Sequence, residues 1–298
     1  LDGLPIRLSA FEQRASQLLA DNVVVEAEPD CGRTLKLGAP RYCRAQDLSR
    51  PATAALLGDS HANRLFEPLT ALLAPHGYNL IQLGAAGCLP FWDTETAAGP
   101  QPNRCPAQVN PQLDYVLRSP MIETVLLTHR GPLYLLGDDP GRSKFGAAAH
   151  VIRQTTGALA PDAPATAVFE YGLDATIGRL HRAGKRVVLV LDNPELDFDP
   201  RACLQRPLSL TALLGHTCTM PRDQVDERNK LYRMIVRRVA AAHPGARVVD
   251  LAQPLCGERH CIAQSEGVIL YRDADHLNRS GARWVVGVLG EEFLAALR

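Results

Sequence analysis

Five short apolar runs recur along the chain with amphipathic stretches between them, and this alternation limits the possible folds more than any other feature. The runs are Ala54 to Leu57, Leu80 to Leu83, Val125 to Thr128, Val187 to Leu191 and Arg247 to Leu251. Continuous apolar runs this short read as strands buried on both faces. Phe169, Leu173, Ile177 and Leu180 form a stripe at helical spacing that ends near Gly184. Leu231, Ile235, Val239 and Ala242 form a second stripe, and Trp284, Val285, Val288, Leu289 and Phe293 a third. Leu65, Phe66, Leu69, Leu72 and Leu73 mark a helix after the first strand, with Pro68 inside it, where the missing N–H costs a bond or bends the helix. Strand, helix, strand repetition predicts an α/β fold: a three-layer α/β/α sandwich with a parallel five-stranded sheet.

Of the 298 residues 46% are apolar and 21% charged, which suffices for a large core and argues against long disorder. Lysine plus arginine (32) balances aspartate plus glutamate (32), so there is no basic excess of the kind that holds nucleic acid or an anionic membrane. No run reaches the roughly 18 to 20 apolar residues that span a bilayer. The start at Leu1-Asp2-Gly3-Leu4 shows no initiator methionine and no signal peptide pattern, and reads as a piece of a longer protein. Residues 1–50 read as an N-terminal extension packing on the core, with a short helix around Phe11 to Leu19 and then a cysteine-bridged loop; residues 51–298 read as the main domain. Three stretches rich in Gly, Pro and Asp (88–121, 131–164 and 194–223) are long loops, and those that follow strands overhang the carboxyl edge of the sheet, where ligands bind.

Eight cysteines fall in four close pairs, Cys31 and Cys43, Cys88 and Cys105, Cys203 and Cys218, Cys256 and Cys261. The even count and the clustering favour disulfides in an oxidising compartment, with nearest-neighbour pairing as the working choice among about 105 connectivities. Cys256, His260 and Cys261 also form a tight thiol and imidazole group, but no C-x-x-C knuckle accompanies them, so no metal is expected.

Two short motifs carry chemistry. The first strand runs into Gly58-Asp59-Ser60-His61 and then a helix. A serine at such a turn is exposed at the sheet edge, beside a helix N-terminus that favours developing negative charge. Alone, it is an ordinary helix cap. Asp273-Ala274-Asp275-His276 stands just before the last helix, and an Asp three residues before a His can bond its Nδ1 and leave Nε2 free as a base. Together, in this order and at these chain positions, the two motifs resemble the SGNH/GDSL family of serine esterases and acyltransferases over residues 51–298.

The resemblance implies the flavodoxin-like SGNH hydrolase fold, Ser60 as nucleophile, His276 as its base and Asp273 as the orienting acid, with Asp275 outside the motif spacing. The family's oxyanion hole takes the nucleophile's own N–H, a glycine N–H after the second strand and an Asn side chain after the third. Ser60 and Gly87 match the first two, with Gly84 as the fallback for the glycine. After the third strand comes Thr128-His129-Arg130-Gly131, so the Asn is missing; Arg130 is the candidate replacement and Asn193 a weaker one. Trp92, Tyr134 and Tyr271 are candidate platforms for a sugar ring. His61 is assigned to packing or the site entrance, and Asp59 to support of the turn.

An arginine after the third strand, Gly87-Cys88-Leu89-Pro90 after the second and cysteine-bridged loops resemble one subgroup. These are the extracytoplasmic SGNH domains fused behind an acyltransferase-3 membrane domain, which O-acylate bacterial surface glycans. The segment Asp2 to Arg7 resembles the linker that leaves the last membrane helix. The resemblance implies an O-acyltransferase, in the first place an O-acetyltransferase, periplasmic on a bacterial inner-membrane protein, with an acyl donor, a glycan acceptor and a membrane partner domain. It implies no cofactor. A carbohydrate acetylesterase of the same fold is the alternative, and a glycan-binding module with a degenerate site a more distant one.

Overall fold

The computed structural model describes residues 10–22, 27–98, 102–137, 150–204 and 218–298. The Asp2 to Arg7 segment and parts of all three long Gly-, Pro- and Asp-rich stretches lie outside the described residues. Strands β1 (Tyr42–Ala45), β2 (Ala54–Gly58), β3 (Leu80–Gly84), β4 (Thr124–Thr128), β5 (Arg186–Leu191) and β6 (Arg247–Asp250) form one sheet in the order β1-β3-β2-β4-β5-β6. β2 pairs parallel with both β3 and β4, β4 with β5, and β5 with β6, so all five apolar runs are parallel strands. The sheet differs from the expected five strands by one: β1, from the stretch read as an extension, is an antiparallel edge strand on β3. Its four residues include the polar Arg44 and give no apolar run, which is why the sequence pattern misses it.

Side-chain alternation along the strands feeds two separate cores. On one face Ala55, Leu57, Ile81, Leu83, Val125, Leu127, Val187 and Leu189 meet helices α3 (Cys105–Arg118), α5 (Ala165–Arg182) and α6 (Arg222–Ala242). On the other, Ala54, Leu56, Leu80, Leu126, Val188, Val190 and Val249 meet α2 (Ser60–Leu73), α7 (Arg279–Val288) and α8 (Gly290–Leu297). Leu18 of α1 (Ala10–Asp21) joins the second core. The single C-terminal stripe is two helices, and the buried face runs through the break: Ala282, Val285, Val286, Leu289, Phe293 and Leu297 are buried, whereas Val288 lies off that face and is exposed. Pro68 lies inside α2, buried, where its ring has no N–H to give to the helical ladder.

The eight cysteines form four nearest-neighbour disulfides, Cys31–Cys43, Cys88–Cys105, Cys203–Cys218 and Cys256–Cys261. The last bond consumes both thiols of the Cys256, His260 and Cys261 group. No helix among the described residues is long and apolar enough to cross a membrane.

The chain leaves β2, adds β3 on one side, then returns across β2 to add β4 on the other. The carboxyl end of β2 is therefore the switch point of the sheet, where a crevice opens. Gly58, the last residue of β2, sits opposite Gly84 and Thr128. A Cβ on Gly58 would lie 1.9 Å from the Thr128 carbonyl oxygen, so only glycine lets the three strand ends close up directly before Ser60.

Candidate active site

Ser60 is the first residue of α2, and Asp59 caps the helix: its Oδ1 accepts the His61 N–H at 2.9 Å. Asp59 is buried, and its Oδ2 accepts the Arg130 N–H at 3.0 Å and the Tyr134 hydroxyl at 2.9 Å. One carboxylate thus ties the serine turn to the segment after β4 and to α4 (Gly131–Leu136).

His276 stands on the turn before α7, its Nε2 2.7 Å from Ser60 Oγ. Its Nδ1 is 2.9 Å from Asp273 Oδ1 and 3.2 Å from Oδ2. Asp273 Oδ1 also accepts the backbone N–H of His276 at 2.8 Å and of Asp275 at 3.2 Å, so the same carboxylate shapes the turn. The turn is fixed at its far end by Asn278, the buried N-cap of α7, whose Oδ1 accepts the Gly281 N–H at 2.7 Å and whose Nδ2 donates to the Ile269 carbonyl at 2.7 Å. Ser60, His276 and Asp273 come from chain segments more than 200 residues apart and meet in one hydrogen-bonded row.

Gly87 lies in the turn beyond β3 with φ +66°, a left-handed conformation that favours glycine. Its carbonyl accepts from Thr96 Oγ1 at 2.5 Å and Asn103 Nδ2 at 3.3 Å, which fixes the Gly87–Cys88 peptide next to the amide. The Ser60 and Gly87 amides donate to no other described residue. Gly84, the fallback, is the last residue of β3, inside the sheet. Arg130 is buried, and its guanidinium is engaged: Nε is 2.5 Å from Glu195 Oε1 and Nη1 is 3.1 Å from Asp275 Oδ2. Asn193 is buried too, donating from Nδ2 to the Asp275 carbonyl at 2.7 Å. Both side chains hold the Asp275 turn.

The sequence reading set Asp275 and His61 aside, and the structure brings both to the row. Asp275 Oδ2 is 3.2 Å from His276 Nδ1 and 3.4 Å from His61 Nε2. His61 Nδ1 is 2.8 Å from Asp192 Oδ1, and the His61 ring lies 4.5 Å from the His276 ring, centroid to centroid. The signal that could have revealed His61 is its place beside the nucleophile. Asp192 gave none, because the partner is 131 positions away. His61, Asp275 and His276 are also the one group among the described residues whose ligand atoms lie close enough to share a metal ion, within 4.8 Å. Asp275 Oδ2 already lies within ion-pair distance of both rings.

Trp92, Tyr134 and Tyr271 are buried, so none offers a face to a sugar ring. Trp92 Nε1 donates to Asp114 at 2.8 Å, and the Tyr134 hydroxyl is the Asp59 ligand described above. His129 is buried among Phe91, Phe169, Tyr134 and Tyr232, with no hydrogen-bond partner for either ring nitrogen among the described residues.

The charges follow from these surroundings. Burial alone would push the His61 imidazole down, but Asp192, Asp275 and Asp59 outweigh it and hold it well above the ordinary histidine range. Burial pushes the Asp192 carboxyl up against the opposing pull of His61. Burial would also raise Asp275, but His276, His61 and Arg130 hold it below the ordinary carboxylate range. Asp273 is likewise lowered: its bond and proximity to His276 outweigh its burial. In His129 burial dominates and lowers the imidazole to about 4.

The family model for the SGNH domain fused to AT3 domains matches residues 29–291, and the chain belongs to that family. In a structural comparison the periplasmic domain of a lipopolysaccharide acetyltransferase from Salmonella ser. Paratyphi A aligns over 88% of this chain and 94% of its own, with 17% identity and a TM-score of 0.56. A GDSL-like lipase from Bacteroides thetaiotaomicron aligns over 96% and 97% at 10% identity with a TM-score of 0.41. The acetyl xylan esterase AlAXEase aligns over 82% and 100% at 17% identity with a TM-score of 0.45. At 17% identity the likeness to the Salmonella domain shows a shared fold, in agreement with the SGNH family match. No curated protein matches the sequence significantly.

Proposed function

We propose that the chain is a serine O-acyltransferase domain that carries an acyl group, in the first place acetyl, on Ser60 and passes it to a hydroxyl of a bacterial surface glycan. The observation that carries the reading is the Ser60–His276–Asp273 row, with Ser60 Oγ 2.7 Å from the Nε2 of an imidazole whose Nδ1 is held by a carboxylate. His276 Nε2 takes the Ser60 proton as Oγ attacks the acyl carbonyl, and the tetrahedral oxyanion forms where the Ser60 and Gly87 amides, engaged by no described residue, can donate to it. Collapse expels the donor's leaving group, which takes the proton back from Nε2. The acceptor hydroxyl then gives its proton to Nε2 and attacks the acyl-Ser60 carbonyl, and collapse of the second tetrahedral intermediate breaks the acyl–Oγ bond as Ser60 Oγ takes that proton back from Nε2. Water in place of the sugar hydroxyl makes the same site an esterase.

The choice of transfer rests on the family, whose members are fused to AT3 domains, and on the acetyltransferase named for the Salmonella neighbour. The same fusion and the four disulfides support a periplasmic domain with an acyltransferase-3 membrane domain as partner and donor source. The test is release of p-nitrophenol from its acetate ester, with and without oligosaccharide acceptors. Release that Ser60→Ala abolishes, with acetyl appearing on the acceptor, is the expected result. Acetate alone at every acceptor concentration would reassign the domain as an esterase.

A further inference from the structure

Asp273 and Asp275 are unequal neighbours of the same imidazole nitrogen. The Asp273 side chain is 40% exposed, and its Oδ1 already accepts two backbone N–H groups of the turn. The Asp275 side chain is 11% exposed, and three cationic or imidazole nitrogens lie within ion-pair distance of its Oδ2: Arg130 Nη1 at 3.1 Å, His276 Nδ1 at 3.2 Å and His61 Nε2, which is hydrogen-bonded to it, at 3.4 Å. A buried carboxylate costs free energy unless cations and hydrogen bonds surround it, and here they do. The row behind it is continuous. Arg228 Nε lies 2.6 Å from Glu195 Oε2, Glu195 Oε1 holds Arg130, and Asp192 holds the far nitrogen of His61. Asn193 fixes the Asp275 carbonyl from the end of β5.

We propose that His276 works with two acids, the buried Asp275 sharing its Nδ1 with Asp273, and that Arg130 and His61 are positioning residues that keep Asp275 ionised and aimed. This deepens the acyl-Ser60 reading and rests on it. In the low-dielectric interior a carboxylate stabilises the imidazolium formed in each transfer step more strongly than one open to water. Asp275 acts through His276 and touches no reacting atom, so it too is a positioning residue. The groups that face it are Arg130 from the β4 end, His61 from α2, Asp192 and Glu195 from the β5 end, and Asp273 and His276 from its own turn.

The test is the rate at which a fluorophosphonate probe labels Ser60, followed by intact mass as a function of pH, in the wild type, Asp273→Asn, Asp275→Asn, the double variant and Ser60→Ala. With a single acid, Asp to Asn is expected to lower the rate by about 10⁴. With two acids each single variant loses on the order of 10- to 100-fold and stays above the Ser60→Ala floor, and the double variant falls to that floor. The Asp275→Asn profile also moves its acidic limb to lower pH, because a neighbouring negative charge is gone; a merely structural role would lower the rate without moving the limb. Asp273→Asn alone at the floor, or Asp275→Asn with wild-type rate and profile, overturns the proposal. If Asp275→Asn does not fold, Asp273→Asn still decides between the two outcomes. Failure of the parent reading looks different: the wild type is then labelled no faster than Ser60→Ala.

Discussion

His61 and His129 are both buried, yet the carboxylates around His61 and the burial of His129 shift them in opposite directions, and stability should report this as opposite pH dependences. His129 is lowered to about 4 in the folded chain and returns to about 6.5 on unfolding, so below 6.5 the unfolded state binds the extra proton. Its contribution is present above pH 6.5 and is lost as pH falls toward 4, at most about 3 kcal/mol. His129→Phe keeps a ring among Phe91, Phe169 and Tyr232 and removes the titration. Urea midpoints of variant and wild type should therefore diverge between pH 6.5 and 4 in favour of the variant. His61 is raised on folding, so its contribution is full below about pH 6.5 and is lost as pH rises through its folded value. His61→Asn should accordingly cost most at pH 6 and progressively less in alkaline buffer, again by urea titration. At this scale the two motifs make Ser60, Asp273 and His276 legible, because each is read within four consecutive residues. Asp192, Glu195 and the engagement of Arg130 are not legible, because their partners are brought together only by the sheet.

Among the elements, the strand ends beneath Ser60 set the strictest requirement. Gly58→Ala would drive a Cβ into the Thr128 carbonyl and the Ala62 side chain, 1.9 and 2.8 Å away. Since the first obstacle is backbone, β2 or β4 has to shift, at a cost of about 1–3 kcal/mol. The shift falls between Ser60 and the Arg130 segment, so esterase activity should drop further than the change in melting temperature alone explains. Periodicity made β2 to β5 legible because each is buried on both faces and consists mainly of apolar residues, whereas the edge strand β6 shows only its Val248–Val249 pair. It missed β1, half of whose identity lies in the Cys31–Cys43 bond and in pairing with β3. It also read the C-terminal pair of helices as one, since a stripe does not record the break before Gly290.

For the molecule as a whole, the disulfides join segments that carry different duties. Cys31–Cys43 secures the edge strand, whereas Cys88–Cys105 directly follows Gly87 and anchors the start of α3. Either bond, replaced by a pair of alanines, should lower stability by about 2–4 kcal/mol. Only loss of Cys88–Cys105 should also lower the rate of p-nitrophenyl acetate cleavage well below the melting point, because it frees the Gly87 peptide. Thermal melts and initial rates on the two double variants separate these effects. The molecule's central claim is a covalent acyl group on Ser60, and the most direct measurement is acid-quenched peptide mass spectrometry after brief exposure to an activated acetate ester. The account predicts one acetyl group on the peptide containing Ser60, chased off by a glycan acceptor and absent from Ser60→Ala and His276→Ala. Ester turnover without any adduct, or an adduct that persists in Ser60→Ala, would contradict it.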